Sequence, residues 1–138
     1  MAADDYDALV AKGTELAEQE QFAQAIDILR QAIDTDESRV DAHYNLAVTY
    51  GLLAMSDLRA EDYFEDHVDD EIFLQNAIEA FQRVLELDDG HVAAHNNLGT
   101  IYALHGERDL AVHELELSLQ IDPDQPDVRE QLDELKGI

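Results

Sequence analysis

The sequence repeats itself with a period of 34 residues once one block is set aside. The segment His43–Tyr50 (HYNLAVTY) returns as His95–Tyr102 (HNNLGTIY) at an offset of 52 residues, which is 34 plus 18. Gly13 and Ala47, by contrast, match at 34, so the extra 18 residues lie inside the second unit, at about 54–71. A period of this length is typical of a stacked array and not of a catalytic globule, because each unit buries its apolar face against a neighbour.

Almost every segment of the units has helical periodicity. Apolar residues recur at three- and four-residue steps, as in 22–33 (FAQAIDILRQAI), which predicts amphipathic helices. Segments rich in Asp, Gly or Pro occupy the same place in each unit, at 34–38, 88–90 and 122–124, and mark the turns between units. A last helix is predicted over 126–136, since Pro126 suits a first helical turn. The chain is therefore predicted to be all-α.

Residues of three kinds recur in phase: a small residue in the first helix of each unit, an aromatic after it, and an alanine in the second helix. In that order they are Gly13, Ala47 and Gly99; Tyr50 and Tyr102; and Ala25, Ala77 and Ala111. On these residues the chain resembles the tetratricopeptide repeat family, with three repeats and a capping helix. The resemblance implies an all-α, right-handed superhelical solenoid of helix-turn-helix repeats, in which small residues permit close helix crossing.

The resemblance also divides the chain, which we expect to form a single domain over 1–138. The expected parts are repeat one at 6–39, repeat two at 40–53 plus 72–91 with an insertion at 54–71, repeat three at 92–125, and a capping helix at 126–136. The insertion contains neither Pro nor Gly, so we expect it to lengthen both helices of repeat two by about 9 residues each. Its Leu58, Tyr63 and Phe64 either pack between the two extensions or offer an apolar contact to a partner or to a second copy.

Acidic residues outnumber basic ones by 33 to 8, which gives a formal net charge of −25. Nucleic acid and anionic membrane surfaces are excluded as expected partners, because binding their phosphates requires clustered Lys and Arg. The acids are spread evenly along the chain and Lys is nearly absent. This composition is similar to that of proteins from halophilic organisms, where molar salt shortens the Debye length to about 3 Å and quenches self-repulsion. The alternative is an acidic protein that binds basic partners in ordinary salt.

The chain contains no cysteine, which excludes disulfides and thiolate chemistry. The first residues, MAADDYDALV, lack the basic and apolar regions of a signal peptide, and no apolar run reaches the ~20 residues that span a bilayer. We therefore expect a cytoplasmic protein.

The resemblance implies a concave groove, lined by the first helices, that binds a peptide or a helix of a partner protein. The candidate groove residues are Thr14, Tyr44, Asn45, Asn96, Asn97 and Thr100. In relatives that hold the C-terminal carboxylate of a chaperone peptide, five groove positions form a clamp of Lys, Asn and Arg. Those positions here are Val10, Thr14, Asn45, Ala93 and Asn97. Only Asn45 keeps the residue type, so a carboxylate clamp is not expected.

Two histidines, His91 and His95, have the i, i+4 spacing of metal ligands on a helix. His95 occupies the same repeat position as His43, so the repeat architecture explains it without a metal. The segment also lacks the glutamate of HExxH. We expect no catalytic residue, no metal and no cofactor. The predicted function is a non-catalytic protein-interaction module, and the alternative is a self-assembling scaffold that forms oligomers through its repeat ends or its insertion.

Overall fold

A computed structural model describes residues 2–59 and 68–138, with side chains described for 5–56 and 72–138. Within these residues the secondary structure consists of seven α-helices and no strand. The helices are α1 (Ala2–Glu18), α2 (Phe22–Thr35), α3 (Val40–Arg59), α4 (Val68–Leu87), α5 (Val92–Leu104), α6 (Arg108–Ile121) and α7 (Pro126–Lys136). None of these described helices is long and apolar enough to cross a membrane.

The helices pack as three consecutive hairpins followed by one further helix. The most extensive contacts join α1 to α2, α3 to α4 and α5 to α6, and each hairpin also packs against the next. The first helices α1, α3 and α5 are neighbours in that order, and α7 lies against α6. The predicted all-α solenoid is confirmed.

The core is built on equivalent residues of the three hairpins. Leu29, Phe81 and Leu115 occupy the same repeat position in the second helices, and each side chain is fully buried. Opposite two of them lie glycines of the first helices. A Cβ at Gly13 would lie 2.6 Å from the Cγ of Leu29, and a Cβ at Gly99 would lie 2.9 Å from the Cγ of Leu115. The recurrent small residue is therefore required by close helix packing.

Tyrosine hydroxyls join successive hairpins. The side chain of Tyr6 on α1 is completely buried, and its hydroxyl accepts a hydrogen bond of 2.9 Å from the backbone N–H of Ala42 in the first turn of α3. The first N–H groups of a helix have no partner within the helix, so Tyr6 caps α3 from the neighbouring hairpin. The guanidinium of Arg39 lies 4.0 Å from the centre of the Tyr6 ring. Burial raises the pKa of the Tyr6 hydroxyl above 10.0.

Tyr50 and Tyr102, which are equivalent to each other in the repeat, join successive hairpins through side-chain bonds. Arg30 on α2 donates to the hydroxyl of Tyr50 on α3. Gln82 on α4 donates to the hydroxyl of Tyr102 on α5 at 3.2 Å. The second helix of one hairpin is thus hydrogen-bonded to the first helix of the next, at both junctions.

The second hairpin is longer than the third. Helices α3 and α4 have 20 residues each, against 13 in α5 and 14 in α6. The inserted sequence therefore extends both helices of this hairpin. Tyr63 and Phe64 lie outside the described residues, and so does the side chain of Leu58.

The turns inside the first and third hairpins have the same backbone conformation but different residues. Two positions beyond the end of the first helix stand Glu20 (φ 62°) and Gly106 (φ 83°), both in the left-handed region. The next residue closes each turn with an N–H bond back into the helix, from Gln21 to the carbonyl of Leu16 and from Glu107 to that of Tyr102. Glycine is the usual residue at this position. The backbone of Glu20 therefore adopts a conformation that costs an L-residue about 1 kcal/mol.

Candidate peptide-binding face

The six predicted groove residues lie on the first helices of the three hairpins. Thr14 is on α1, Tyr44 and Asn45 are on α3, and Asn96, Asn97 and Thr100 are on α5. Thr100 is exposed and the other five are partly exposed. We call the surface formed by α1, α3 and α5 the first-helix face.

Two of the predicted residues meet on this face. The amide of Asn97 donates a hydrogen bond of 3.1 Å to the hydroxyl of Tyr44, which links α5 to α3. The ring of Tyr44 also stands edge-on to Phe81, with centroids 6.0 Å apart, and lies 4.9 Å from the ring of His91. These contacts fix the Tyr44 side chain, so the pair forms a preorganised polar feature between the second and third hairpins.

Two others form bonds within their own helices. The hydroxyl of Thr14 donates to the carbonyl of Val10 at 2.9 Å, and the amide of Asn45 donates to the carbonyl of Asp41 at 3.0 Å. Both side chains are partly exposed, so a ligand can reach them.

The remaining two lie at the junction with α7 and its preceding loop. The amide of Asn96 donates to the side-chain oxygen of Gln125 at 2.7 Å, and the amide of Gln131 on α7 donates to the hydroxyl of Thr100 at 3.1 Å. Gln125 in turn donates to the hydroxyl of Ser118 at 2.9 Å. The side-chain oxygen of Asn96 is buried and has no hydrogen-bond partner. These two residues therefore form the wall between α5 and the last helix.

An apolar pocket of about 110 Å³ opens on the first-helix face between α3 and α5. Its lining contains only two polar residues, Asn97 and Thr100. The lining residues are Val48, Gly51, Leu52, Met55, Leu74, Phe81, Asn97, Thr100, Ile101 and Leu104. Large apolar side chains are left in water around it: Leu52 is 43% exposed, Met55 39% and Leu104 55%.

Most residues of this pocket are not among the predicted groove residues, although two of its walls leave a signal in the sequence. Val48 and Leu52 on α3, and Thr100 and Leu104 on α5, are spaced at i, i+4 and therefore lie on one side of their helices. Gly51 opens the space between them because it has no side chain. These leucines lie on the face that a solenoid leaves open, and this pattern could have predicted the pocket.

A second concavity, of about 140 Å³, adjoins the first. It is lined by Glu20 and Phe22 from the first hairpin turn and by Leu52, Met55 and Ser56 from α3. Leu52 and Met55 line both spaces and form the ridge between them.

No Lys or Arg lines either concavity. Several described cations are paired elsewhere, and the ion pairs are Arg39 with Asp7 at 2.8 Å, Arg83 with Glu86 at 2.9 Å and Lys136 with Glu116 at 2.7 Å. The two concavities therefore lack the cations that would bind an anionic peptide end.

The histidines considered as metal ligands have structural contacts. The Nδ1 of His91 accepts a bond of 3.1 Å from the N–H of Ala94 and so caps α5. The ring of His95 is buried between the carboxylate of Glu114, at 2.7 Å, and the carbonyl of Asp89, at 2.9 Å. His43 contacts the carbonyl of Glu37 at 2.9 Å in the same way. Among the described residues no group of three or more His, Asp or Glu side chains could hold a metal ion.

Comparison with family models and solved structures gives a consistent result. A model described as TPR repeat matches residues 13–53, and a model described as tetratricopeptide repeat matches 74–132, so together they span more than two thirds of the chain. No curated protein matches.

Three solved structures illustrate the similarity. The first repeat domain of Spaghetti (RPAP3), bound to the HSP90 peptide SRMEEVD, is 16% identical with a TM-score of 0.80, over 97% of this chain and 92% of that one. The second domain of human RPAP3, in complex with the HSP70 peptide SGPTIEEVD, is 15% identical with a TM-score of 0.80, over 99% and 98%. YrrB, described as having an unusual peptide-binding site, is 25% identical with a TM-score of 0.71, over 91% and 56%.

Proposed function

Because the chain belongs to the tetratricopeptide repeat family, we propose that it is a non-catalytic module that binds an extended peptide or a helix of a partner protein on its first-helix face. Solved domains of the same fold hold peptides of partner proteins. The observation that carries the proposal is the open apolar pocket between α3 and α5, with Leu104 more than half exposed at its edge. Apolar pockets beside a few oriented polar groups are the usual form of a peptide-anchoring site.

The predicted polar residues take different parts in this proposal. The pair formed by Asn97 and Tyr44 stands beside the pocket and presents amide and hydroxyl groups to a peptide backbone. Thr14 and Asn45 exchange their local bonds for bonds to the ligand. Asn96 and Thr100 shape the far wall through their contacts with α7.

The other parts of the proposal concern the setting in which the module acts. We propose a cytoplasmic protein without cofactor whose acidic surface is an adaptation to molar salt. Hydrated carboxylates keep such a surface soluble while salt screens their repulsion. The melting temperature in KCl tests this, since it should rise up to molar concentrations; a melting temperature that is highest in dilute buffer would contradict it.

Affinity capture with two matched variants tests the binding proposal. The bait is the wild-type protein, a pocket variant Leu104→Glu, or a control variant Leu110→Glu. Leu104 and Leu110 are similarly exposed, at 55% and 45%, but only Leu104 lines the pocket. We expect a partner that is retained by the wild type and the control and lost by Leu104→Glu. A partner retained equally by all three proteins would place binding elsewhere on the molecule.

The alternative function is a self-assembling scaffold. The observation that favours it is the exposure of Leu110 and Ile121 on α6, outside both concavities. Sedimentation analysis over a range of concentrations tests it. A mass that increases with concentration in the wild type, and not in Leu110→Glu, would support assembly through this surface.

A further inference from the structure

The concavity on the first-helix face and the one that adjoins it beside the first hairpin turn differ in chemistry, and together they specify a kind of partner. They share the ridge formed by Leu52 and Met55, so a single short segment of peptide can enter both. The inference drawn from them rests on the proposed function, because it concerns the occupant of the same face.

The first concavity selects an aliphatic side chain. Its volume of about 110 Å³ is somewhat smaller than the apolar cavity of about 150 Å³ that accepts benzene in other proteins. The four carbon atoms of a leucine side chain, or a methionine side chain, fit that space. Eight of the ten lining residues are apolar or glycine, so a charged side chain would lose hydration there with no opposite charge to replace it.

The second concavity presents one charged group, the carboxylate of Glu20. Within residues 5–56 and 72–138 no Lys or Arg forms an ion pair with it. Glu20 is also exposed to solvent.

The backbone at Glu20 adds an independent reason to look for a role. Its φ of 62° is the left-handed conformation, and the equivalent residue of the third hairpin is glycine. Glycine would adopt this conformation without the steric cost. A residue other than glycine at such a position is therefore a candidate for function. Glu20 also lines the same concavity as the two ridge residues, Leu52 and Met55.

From these observations we propose that the first-helix face binds a partner segment in which a leucine- or methionine-sized side chain stands next to a lysine or arginine. The aliphatic side chain occupies the pocket between α3 and α5, and the cation lies against Glu20. The carboxylate of Glu20, and the absence of any Lys or Arg from both linings, favour such a segment over an acidic one.

A second copy of this chain contains a leucine next to an arginine, Leu58–Arg59, but it carries a net charge of −25. Below molar salt it would bring those charges to two concavities whose linings contain no Lys or Arg, and like charges across an interface are repelled. The occupant is therefore a different protein with a basic segment.

The test uses displayed random peptides of about ten residues, a length that spans such a face. Peptides are selected on the wild-type protein after depletion on Gly51→Leu, which keeps the helix and fills the pocket. The salt concentration is one at which circular dichroism shows both proteins to be folded. We expect the selected peptides to pair Leu, Ile or Met with a neighbouring Lys or Arg.

Affinities of one selected peptide then separate the two concavities. Leu104→Ala should weaken binding about fivefold to tenfold through lost apolar contact, and Glu20→Gln about threefold through a lost exposed ion pair. Leu110→Ala should have no effect. In double-mutant cycles the Glu20→Gln effect should vanish when the peptide cation is replaced by glutamine, and the Leu104→Ala effect when its aliphatic residue is replaced by alanine.

Salt distinguishes the two contributions further. At about 1 M KCl the Debye length is about 3 Å, so the Glu20→Gln effect should shrink. The Leu104→Ala effect should remain, because salt does not screen apolar burial.

Each outcome has a definite meaning. Selected peptides that lack either the aliphatic or the basic residue would overturn this inference, and so would cycles that show no coupling. Peptide binding by the first-helix face would still stand in both cases. Recovery of no peptide above the Gly51→Leu background would refute peptide binding by the first-helix face, and this inference with it.

Discussion

Replacing mid-helix glycines by alanine tests the argument that close packing of the hairpins requires small residues. At Gly13 and Gly99 a Cβ would lie 2.6 and 2.9 Å from the Cγ atoms of Leu29 and Leu115. Both leucines are fully buried and cannot move into solvent. Gly51, in the middle of α3, provides the control, since it faces the apolar pocket instead of a second helix.

The magnitudes follow from two opposing effects. Alanine stabilises the interior of a helix by about 1 kcal/mol relative to glycine, and overpacking a core site costs about 1–3 kcal/mol. Gly13→Ala and Gly99→Ala should therefore leave the free energy of unfolding unchanged or lower it by up to about 2 kcal/mol. At Gly51 the nearest atom to a new Cβ is Ile101 Cδ1 at 3.8 Å, an ordinary contact, so Gly51→Ala should raise the free energy by about 1 kcal/mol.

Urea unfolding followed by circular dichroism measures these changes, in a buffer where the wild type is fully folded. The informative quantity is the difference between Gly51→Ala and either of the other variants, about 1–3 kcal/mol, because the helix propensity is common to all three and cancels. If the three alanines shift the unfolding midpoint by the same amount, contact with the buried leucines does not determine the residue type, and the packing argument is refuted.

The same control variant separates stability from binding. The Cβ at position 51 projects into the pocket that we assign to the partner's aliphatic side chain. Gly51→Ala should therefore be more stable than the wild type and bind the selected peptides more weakly. A variant that is both more stable and an equal binder would argue against occupation of this pocket.

Three further predictions concern the turns and junctions. Tyr6→Phe should lower the free energy of unfolding by about 1–2 kcal/mol, because the N–H of Ala42 at the start of α3 loses its acceptor; an unchanged urea midpoint would mean that this bond contributes nothing. Since burial raises the folded-state pKa of Tyr6 above 10.0, the unfolded chain releases this proton first, so the stability due to Tyr6 is complete below pH 10 and falls as pH rises through the folded pKa. The difference in melting temperature between the wild type and Tyr6→Phe should thus become smaller at alkaline pH. A difference that stays constant up to pH 11 would contradict a raised pKa of Tyr6. Glu20→Gly should raise the free energy of unfolding by about 1 kcal/mol by removing left-handed strain, while Glu20→Gln should not; equal melting temperatures for Glu20→Gly and the wild type would show that the turn carries no strain.

The periodic part of the structure could be predicted from the sequence, because each repeat position has the same neighbours in every unit. Gly13 and Gly99 recur where helix backbones approach, and the structure places both against buried leucines. Pro126 was predicted to lie in a first helical turn, and α7 begins there.

The contacts that differ between units could not be predicted in this way. Asn96 bonds to Gln125 and Thr100 to Gln131 because a single helix, instead of a further hairpin, follows the third hairpin. The apolar pocket depends on Gly51, where the third repeat has Ala103, and on Met55, which lies in the insertion. Tyr6 lies before the first recurring residue, so no period indicates that it caps α3.

The tyrosine bonds at the junctions bear on how the molecule responds to force. Arg30 binds the hydroxyl of Tyr50 at the first junction, and Gln82 binds that of Tyr102 at the second. Both hydrogen bonds resist rotation of one hairpin against its neighbour, since hydrogen bonds weaken when they are bent. The pocket lies across the second of these junctions, between α3 and α5. Bending the solenoid at this junction changes the width of the pocket, because the second and third hairpins both line it. A ligand side chain in the pocket therefore opposes that bending. Occupancy should therefore stiffen the domain against stretching, and pulling on its two ends should weaken its hold on the ligand.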